Sequence, residues 1–430
     1  MKEPEVAEFD RSRAKANPNV LSISFALPYR GVDHAGGELL LHHYGVLAPR
    51  SRRLEAFAID FDSNQKASSR QEDVGFDNYQ SSIISFPRWR KTLLGKTAAR
   101  IWSLTVPVLP DLGVYTSFNN SQSLRDAIRQ ADIVELQWFE YFAFARLVRR
   151  ENPNARIVGF VHDIPSQRIE RSLVRLPAPF RKLYLDYVGW LERKMLEELD
   201  CVTVLSNKDA DLVRNRTASV ETFVLDPPLN LDESDVPAEE EASSLDRLAA
   251  TADVAFGFVG ALHRRENDDA ARWLLAAIWP SVLNRCPTAR LYIIGSTPSR
   301  ELHDAAAAFP GSVELTGYVD DIRSFYKLFN TVIIPLRYGA GVKFKTISAV
   351  IAGKNIVATP VAVEGVLADE YFFCVSDDAN RLASAMVQLA TDPASGHVIS
   401  EQARIQAGSR YSLDSYVQAV EQVYRLGTGR

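Results

Sequence analysis

The chain is short of cysteine, of long apolar runs and of net charge, and each shortage excludes a class of protein. Its three cysteines, Cys201, Cys286 and Cys374, stand singly in or beside apolar segments, without the paired spacing a zinc site needs. They read as buried, reduced thiols of a cytosolic protein. No apolar run approaches the ~20 residues of a membrane span. The start, MKEPEVAEFDRSRAK, is polar and rich in acidic as well as basic residues, unlike a signal peptide. A formal net charge of −5 argues against a general nucleic-acid binder, since such domains are usually basic, and no nucleic-acid motif is present. No carboxylate cluster of the metal-binding kind is evident either, so the expectation is an activity without metal or cofactor.

What is present is ordinary globular composition: 46% apolar and 24% charged residues in a chain of 430, enough for two or three domains with full cores. Strand and helix patterns alternate almost throughout, which predicts parallel sheets with helices on both faces. One stretch interrupts them. From Asp226 to Asp253 the sequence is acidic, proline-bearing and poor in apolar residues, as expected of a linker or surface loop. It separates an N-terminal α/β domain, residues 1–225, from a C-terminal one, residues 254–411. The last segment, 412–430, carries Tyr416, Val417, Val420, Val423 and Tyr424 on one helical face.

The run from Gly339 to Val366 is the richest in chemistry. TVIIPL, Thr331 to Leu336, reads as a buried strand, and a turn holding Gly339 and Gly341 follows it. Val342 to Ile351 then has helical spacing, with Gly353 as the residue that ends the helix. A helix N-terminus facing two glycines binds anions, because its free N–H groups carry about half a positive charge and glycine lets a phosphate approach the backbone. Lys343 and Lys345 add two full charges. A plain strand-turn-helix with solvated lysines would show the same pattern. Upstream, FGFVGALHRREN, Phe256 to Asn267, is a strand ending in glycine and then a basic loop, with Asn267 as an N-cap and Asp268 and Asp269 in the first turn. LYIIG, ending at Gly295, and VELTG, ending at Gly317, are further strands.

This order of features resembles the C-terminal domain of nucleotide-sugar-dependent glycosyltransferases with the GT-B fold, in the large retaining family known as group 1. The N-terminal half resembles its partner domain: LSISFALP with Gly36 and Gly37 looks like the first strand and glycine loop on the acceptor side. DIVELQWF, RIVGFVHD and CVTVLSNKDADLV look like later elements. The resemblance implies an α/β fold of two Rossmann-like doubly wound domains facing a cleft, with the C-terminal helix crossing back to the first. It implies transfer of a sugar from a nucleoside diphosphate sugar to a glycan, lipid-linked or small-molecule acceptor, with retention at the anomeric carbon. Arg264 or Arg265 and Lys343 or Lys345 occupy the positions that hold the donor diphosphate, with Gly339 and Gly341. Gly295, Gly317, Ser348 and Glu364 fall on the sugar and nucleoside side, and His162 matches a histidine near the donor sugar. Arg264, Lys345 and His162 are then the catalytic candidates. A strand-end histidine satisfying a carbonyl, and a surface-loop glutamate at 364, are the bland alternatives. Asp163 could orient His162 or cap the following turn. Two departures stand out: Ser348 where the family usually has a ribose-binding Glu, and Ala340 where an acid is usual. They motivate the alternative of a catalytically weak GT-B partner subunit or glycan-binding pseudoenzyme; another GT-B enzyme such as a nucleotide-sugar epimerase is a further alternative.

Two further stretches are basic and aromatic. Arg88 to Leu104 holds five basic residues and no acidic one, interleaved with Trp89, Leu94, Ala98, Ile101 and Trp102. Ser166 to Met195 repeats the mixture. Such helices lie on anionic membrane surfaces or pack their apolar side on their own domain. The expected location is cytoplasmic, with peripheral contact at the inner membrane face in the first case.

Overall fold

A computed structural model describes residues 17–29, 35–69, 74–173, 177–229, 254–319 and 322–426. Most of the acidic stretch from Asp226 to Asp253 lies outside the described residues. Contacts divide the chain into two units: Met1–Pro227 with Tyr416–Arg430, and Pro228–Ser415.

In the first unit seven strands form one sheet: β1 (Asn19–Ile23), β2 (Arg53–Ile59), β3 (Tyr79–Ile84), β4 (Ile133–Gln137), β5 (Arg156–Phe160), β6 (Cys201–Val204) and β7 (Glu221–Val224). Their order is β3-β2-β1-β4-β5-β6-β7, and every pairing is parallel. Parallel strands covered on both faces need near-continuous apolar runs, and the residues of β4, β5 and β6 are buried almost throughout. Three helices of this unit matter below: α1 (Ala35–Leu47), α2 (Leu93–Thr105) and α3 (Ala178–Leu196).

The second unit repeats the scheme with β8 (Val254–Val259), β9 (Ala289–Ile294), β10 (Val313–Gly317), β11 (Thr331–Ile334), β12 (Asn355–Ala358) and β13 (Cys374–Val375), in the order β10-β9-β8-β11-β12-β13, again parallel. Its core packs Phe256, Phe258, Leu291, Ile293 and Ile333 from the sheet against Leu274, Trp279 and Ile347 from the helices. Each such side chain, fully buried, contributes roughly 1.5–3 kcal/mol. After β8 comes α4 (Arg265–Trp273), and after β11 comes α5 (Phe344–Ile351). The last helix, α6 (Leu413–Tyr424), buries Tyr416, Val420, Val423 and Tyr424, and from Tyr416 onward it packs with the first unit.

Several local expectations change. The helix after the glycine turn begins at Phe344 with Lys343 as its N-cap, two residues later than Val342, because the positive φ of Gly341 (68°) keeps the turn open. Gly353, at φ 67°, closes α5 by donating its N–H to the Val350 carbonyl. Asn267 is not an N-cap, since α4 starts at Arg265 with Arg264 as its cap residue. Gly36 and Gly37 stand in the first turn of α1 rather than in a loop. Cys201 is buried, but Cys286 and Cys374 are only half-buried; all three are free thiols. Among the described residues no helix is long and apolar enough to cross a membrane.

Candidate active site

In an open parallel sheet, neighbouring strands whose connections leave in opposite directions open a crevice at their carboxyl ends, where ligands bind. In the second unit these strands are β8 and β11. The loops and helix starts that follow them carry Arg264, Arg265, Gly339, Gly341, Lys343 and Lys345, so strand order sets the residues grouped as the diphosphate site beside one crevice.

Contacts fix the two loops to each other. The Asn267 amide N–H donates to the Ala261 carbonyl at 2.8 Å, which leaves its oxygen to accept from the Lys345 ammonium. The Tyr338 hydroxyl donates to the Arg265 carbonyl at 3.0 Å. Arg337 grips Asp269 through both carboxylate oxygens, its Nε at 2.8 Å. Such a two-point contact between guanidinium and carboxylate sets orientation as well as distance.

Glycine makes the close approach possible. A Cβ on Gly295 would stand 1.9 Å from the Gly260 carbonyl oxygen, and one on Gly260 would stand 2.8 Å from the Lys345 ammonium. Gly295 also donates its N–H to the Gly317 carbonyl at 2.9 Å, which joins β9 and β10 beside the same crevice. Gly317, at φ 76°, borders open space.

The two lysines differ. Lys343 is buried and turns back on its own loop, donating to the carbonyls of Ala340 at 3.2 Å and Gly341 at 2.5 Å. Lys345 reaches across to α4, with its ammonium 5.3 Å from the centre of the Phe258 ring. Desolvation there, reinforced by the positive charges of Arg264 and Lys343 and opposed by Glu266, pulls its pKa down to about 7. A lysine poised this way gains a proton readily when an anion arrives. Arg264 is exposed, and its Nε lies 2.8 Å from Glu266, so an incoming anion would compete with a carboxylate already in place. The Arg265 side chain is exposed.

Ser348 lies one turn along α5 from Lys345. Its hydroxyl makes no hydrogen bond among the described residues, whereas its carbonyl accepts from the Ala352 N–H at 2.9 Å. Glu364 follows the short helix Pro360–Val363, and the Thr346 hydroxyl ties that helix to α5 by donating to the Ala362 carbonyl at 2.7 Å.

His162, Gly36 and Gly37 belong to the first unit. His162 lies two residues beyond the end of β5, the strand next to β4, whose border with β1 is the equivalent crevice. Its ring stacks on Trp138 at 4.1 Å with an interplanar angle of 11°, and its Nε2 lies 2.9 Å from Gln137 Oε1. The Gln137 amide N–H donates to the Glu135 carboxylate, which accepts only, so the Gln137 oxygen faces His162 and the imidazole carries its hydrogen on Nε2. Thus His162 does not satisfy a backbone carbonyl through Nε2. The Asp163 carboxylate accepts from Arg168, on the helix that follows, at 3.0 Å. Trp138 has φ 68° and ψ 143°, a conformation that costs a side-chain-bearing residue on the order of 1–3 kcal/mol.

Sequence reading missed what holds Glu135 in place. Fully buried in β4, it accepts from Ser22 at 3.1 Å and from Tyr424, and its Oε2 lies 2.8 Å from His43 Nε2. The Nδ1 of His43 lies 2.8 Å from the Tyr416 hydroxyl. Burial alone would raise the Glu135 pKa, but His43 and the hydrogen bonds outweigh it and hold the carboxyl below its ordinary value. The signal was available: a glutamate inside the apolar strand IVELQ is costly unless paired.

Residues 253–392 match the model of the family described as Glycosyl transferases group 1. Among solved structures, sucrose-phosphate synthase from Thermosynechococcus elongatus superposes with a TM-score of 0.68 at 16% identity, covering 95% of this chain and 98% of that one. HepE of Anabaena, in complex with UDP and glucose, gives 0.66 at 11% identity over 95% and 100% of the two chains. A trehalose-6-phosphate structure from E. coli, bound with UDP-2-fluoro glucose, gives 0.65 at 14% identity over 95% and 99%. None of the curated proteins matches the sequence. The chain therefore has the two-domain α/β fold of the GT-B glycosyltransferases, and the stretch that resembles group 1 lies in its second unit.

Proposed function

We propose that the protein transfers a sugar from a nucleoside diphosphate sugar to an acceptor hydroxyl, with retention at the anomeric carbon. The observation that carries this reading is the gathering of Arg264, Arg265, Lys343, Lys345 and two glycine turns at the β8 and β11 loops of a group 1 domain. Departure of the nucleoside diphosphate puts negative charge on the β-phosphate. Preorganised cations and N–H donors stabilise that charge where it develops. Lys345 and Arg264 take this role, the Gly339 to Gly341 backbone lines the diphosphate, and Arg265 and Lys343 complete the positive field. Ser348 and Glu364 face the nucleoside and sugar, with Gly295 and Gly317 leaving room for them. His162 acts from the first unit near the donor sugar, and Gly36 and Gly37 serve the acceptor side. The cations do the work a divalent metal does elsewhere, so turnover should survive chelation. The acceptor is a glycan, a lipid-linked glycan or a small molecule, and the workplace is the cytoplasm.

Because two fold relatives are held with UDP or a UDP sugar, UDP-glucose is the first donor to try. The deciding experiment is a thermal-shift panel of UDP, GDP, ADP and their sugars, followed by turnover with the best of them. A ligand at 100 times its dissociation constant stabilises by about 2.7 kcal/mol. Absence of any shift, together with absence of sugar transfer or hydrolysis, overturns the reading. Ser348 and Ala340, standing where the family usually has acidic residues, favour one second reading, a catalytically weak partner subunit that retains the fold and binds no donor.

A further inference from the structure

Helices α2 and α3 of the first unit leave apolar side chains bare. Leu93 and Leu94 are 81% and 83% exposed, Ile101 and Leu104 are exposed beside them, and Leu183 on α3 is 71% exposed among Phe180, Tyr187 and Trp190. These eight are more than half of the fourteen large hydrophobic residues exposed among the described residues, so the exposure is concentrated rather than scattered. The two helices are joined: the hydroxyls of Tyr184 and Tyr187 donate to the carbonyls of Leu104 and Thr105, at 3.4 and 2.8 Å.

Helical geometry shows the order within the patch. At about 100° per residue, Leu93, Leu104, Ile101 and Leu94 share one narrow arc of α2, while Gly95, its one buried residue, lies on the opposite side. Lys96 and Arg100 border the apolar arc, and Arg88, Arg90 and Lys91 form the turn that leads into it. Phe180, Leu183, Tyr187 and Trp190, three or four residues apart, form a single stripe along α3, flanked by Arg181, Lys182 and Lys194. Asp186 is the one exposed acid on α3. Apolar residues bordered by cations, with an aromatic belt, suit the boundary between lipid headgroups and acyl chains.

We propose that the α2 and α3 face docks on an anionic phospholipid surface, with Leu93, Leu94, Ile101, Leu104, Phe180, Leu183 and Trp190 entering the headgroup boundary and the flanking cations meeting lipid phosphates. A second copy of the chain is a poorer occupant, because a two-fold interface sets a patch against itself and would bring Lys91, Lys96 and Arg100 face to face with their equivalents. Arg90 contributes less than its neighbours, since it pairs with Asp111 at 3.1 Å and covers the Phe86 ring at 4.2 Å. Docking is independent of the proposed transfer reaction and is read without turnover.

The test is co-sedimentation of the full chain with vesicles of phosphatidylglycerol and phosphatidylcholine, against phosphatidylcholine alone, over a range of salt. Binding should require the anionic lipid, weaken with salt, and shift Trp190 emission to the blue. Lys96→Gln and Arg100→Gln should each weaken it about fivefold. Leu93→Ser with Leu94→Ser should weaken it tenfold or more while leaving the melting temperature unchanged, since both side chains are solvent-exposed. Three outcomes overturn the proposal: no binding to anionic vesicles at low salt, binding that these variants leave intact, or a concentration-dependent dimer that the Leu93→Ser, Leu94→Ser chain loses while the native chain ignores vesicles.

Discussion

The two sheets share a strand order up to their sixth strand, and each reverses direction beside its first strand, yet the two crevices are furnished with opposite materials. At β8 and β11 the lining is glycine, lysine and arginine. At β1 and β4 it is aromatic, with Phe25 5.8 Å from Trp138, Trp138 stacked on His162, and a buried carboxylate two residues below the strand end. Topology chooses where a ligand can sit, and side chains choose which. The second crevice is built to meet negative charge; the first is built to hold one imidazole still in front of apolar surface.

That contrast is sharpest at Glu135, where the largest effect is expected. Removing one partner of a buried charge pair costs about 3–5 kcal/mol, because the other partner is left uncompensated. Glu135→Ala should therefore lower the stability of the first unit by about that amount and free the Gln137 amide to turn. Nitrogen NMR of His162 should lose its Nε2–H preference in the same variant. Because the folded pKa of Glu135 lies below its unfolded value, this stability is present above the ordinary glutamate range and is lost as pH falls through the folded pKa. An unchanged tautomer would show that the network does not position His162.

Next in size is the separation of the two lysines. Lys345→Ala and Arg264→Ala should each reduce turnover with the best donor by on the order of a hundredfold, about 3 kcal/mol of transition-state stabilisation, without loss of fold. Lys343→Ala should instead loosen the 339–343 turn, whose carbonyls it holds, and appear first as a fall in melting temperature. Equal effects of the two lysines on rate alone would remove the distinction drawn from their contacts.

How much of this could be read beforehand depends on what each residue does locally. The strands, the glycine turns and the cation positions announced themselves because parallel strands are apolar runs and glycine is required at tight approaches. Asn267 looked like a helix cap, and only folding reveals it as the amide that joins Ala261 to Lys345. The Arg337 to Asp269 clamp and the His43 to Glu135 pair span 68 and 92 residues, and no local pattern encodes such distances. Leu94 and Ile101 read as part of an amphipathic helix, while their exposure depends on which face Gly95 turns inward.

A smaller effect tests the charge state of the second crevice. The folded Lys345 pKa of about 7 lies below the unfolded 10.5, so between those values the folded chain binds fewer protons than the unfolded one and stability rises with pH. An anion beside the ammonium restores the proton. At pH 8, binding of a nucleoside diphosphate should take up close to one proton, roughly the difference in occupancy between the two states. Calorimetry in buffers of different ionisation enthalpy measures this directly. Lys345→Gln should abolish the uptake, and uptake that persists would assign it to another group.

The smallest effect belongs to Ser348, and it separates the transferase from a partner subunit. A glutamate at this position would accept hydrogen bonds from ribose hydroxyls through a charged carboxylate, each contributing about 1.5–3 kcal/mol, whereas serine is shorter and neutral. In an active transferase that holds its donor mainly by the diphosphate, Ser348→Glu should leave nucleotide affinity similar or improve it by a fewfold, since the new carboxylate also repels the nearby phosphates. The native chain should bind a nucleoside diphosphate in calorimetry, and Lys345→Ala should weaken that binding more than any change at 348. No binding of any nucleoside diphosphate at millimolar concentration, with a folded chain, would give the crevice to a partner subunit. In that case the cations at β8 and β11 would remain as a relic of the fold, and the contrast between the two crevices would describe ancestry rather than present chemistry.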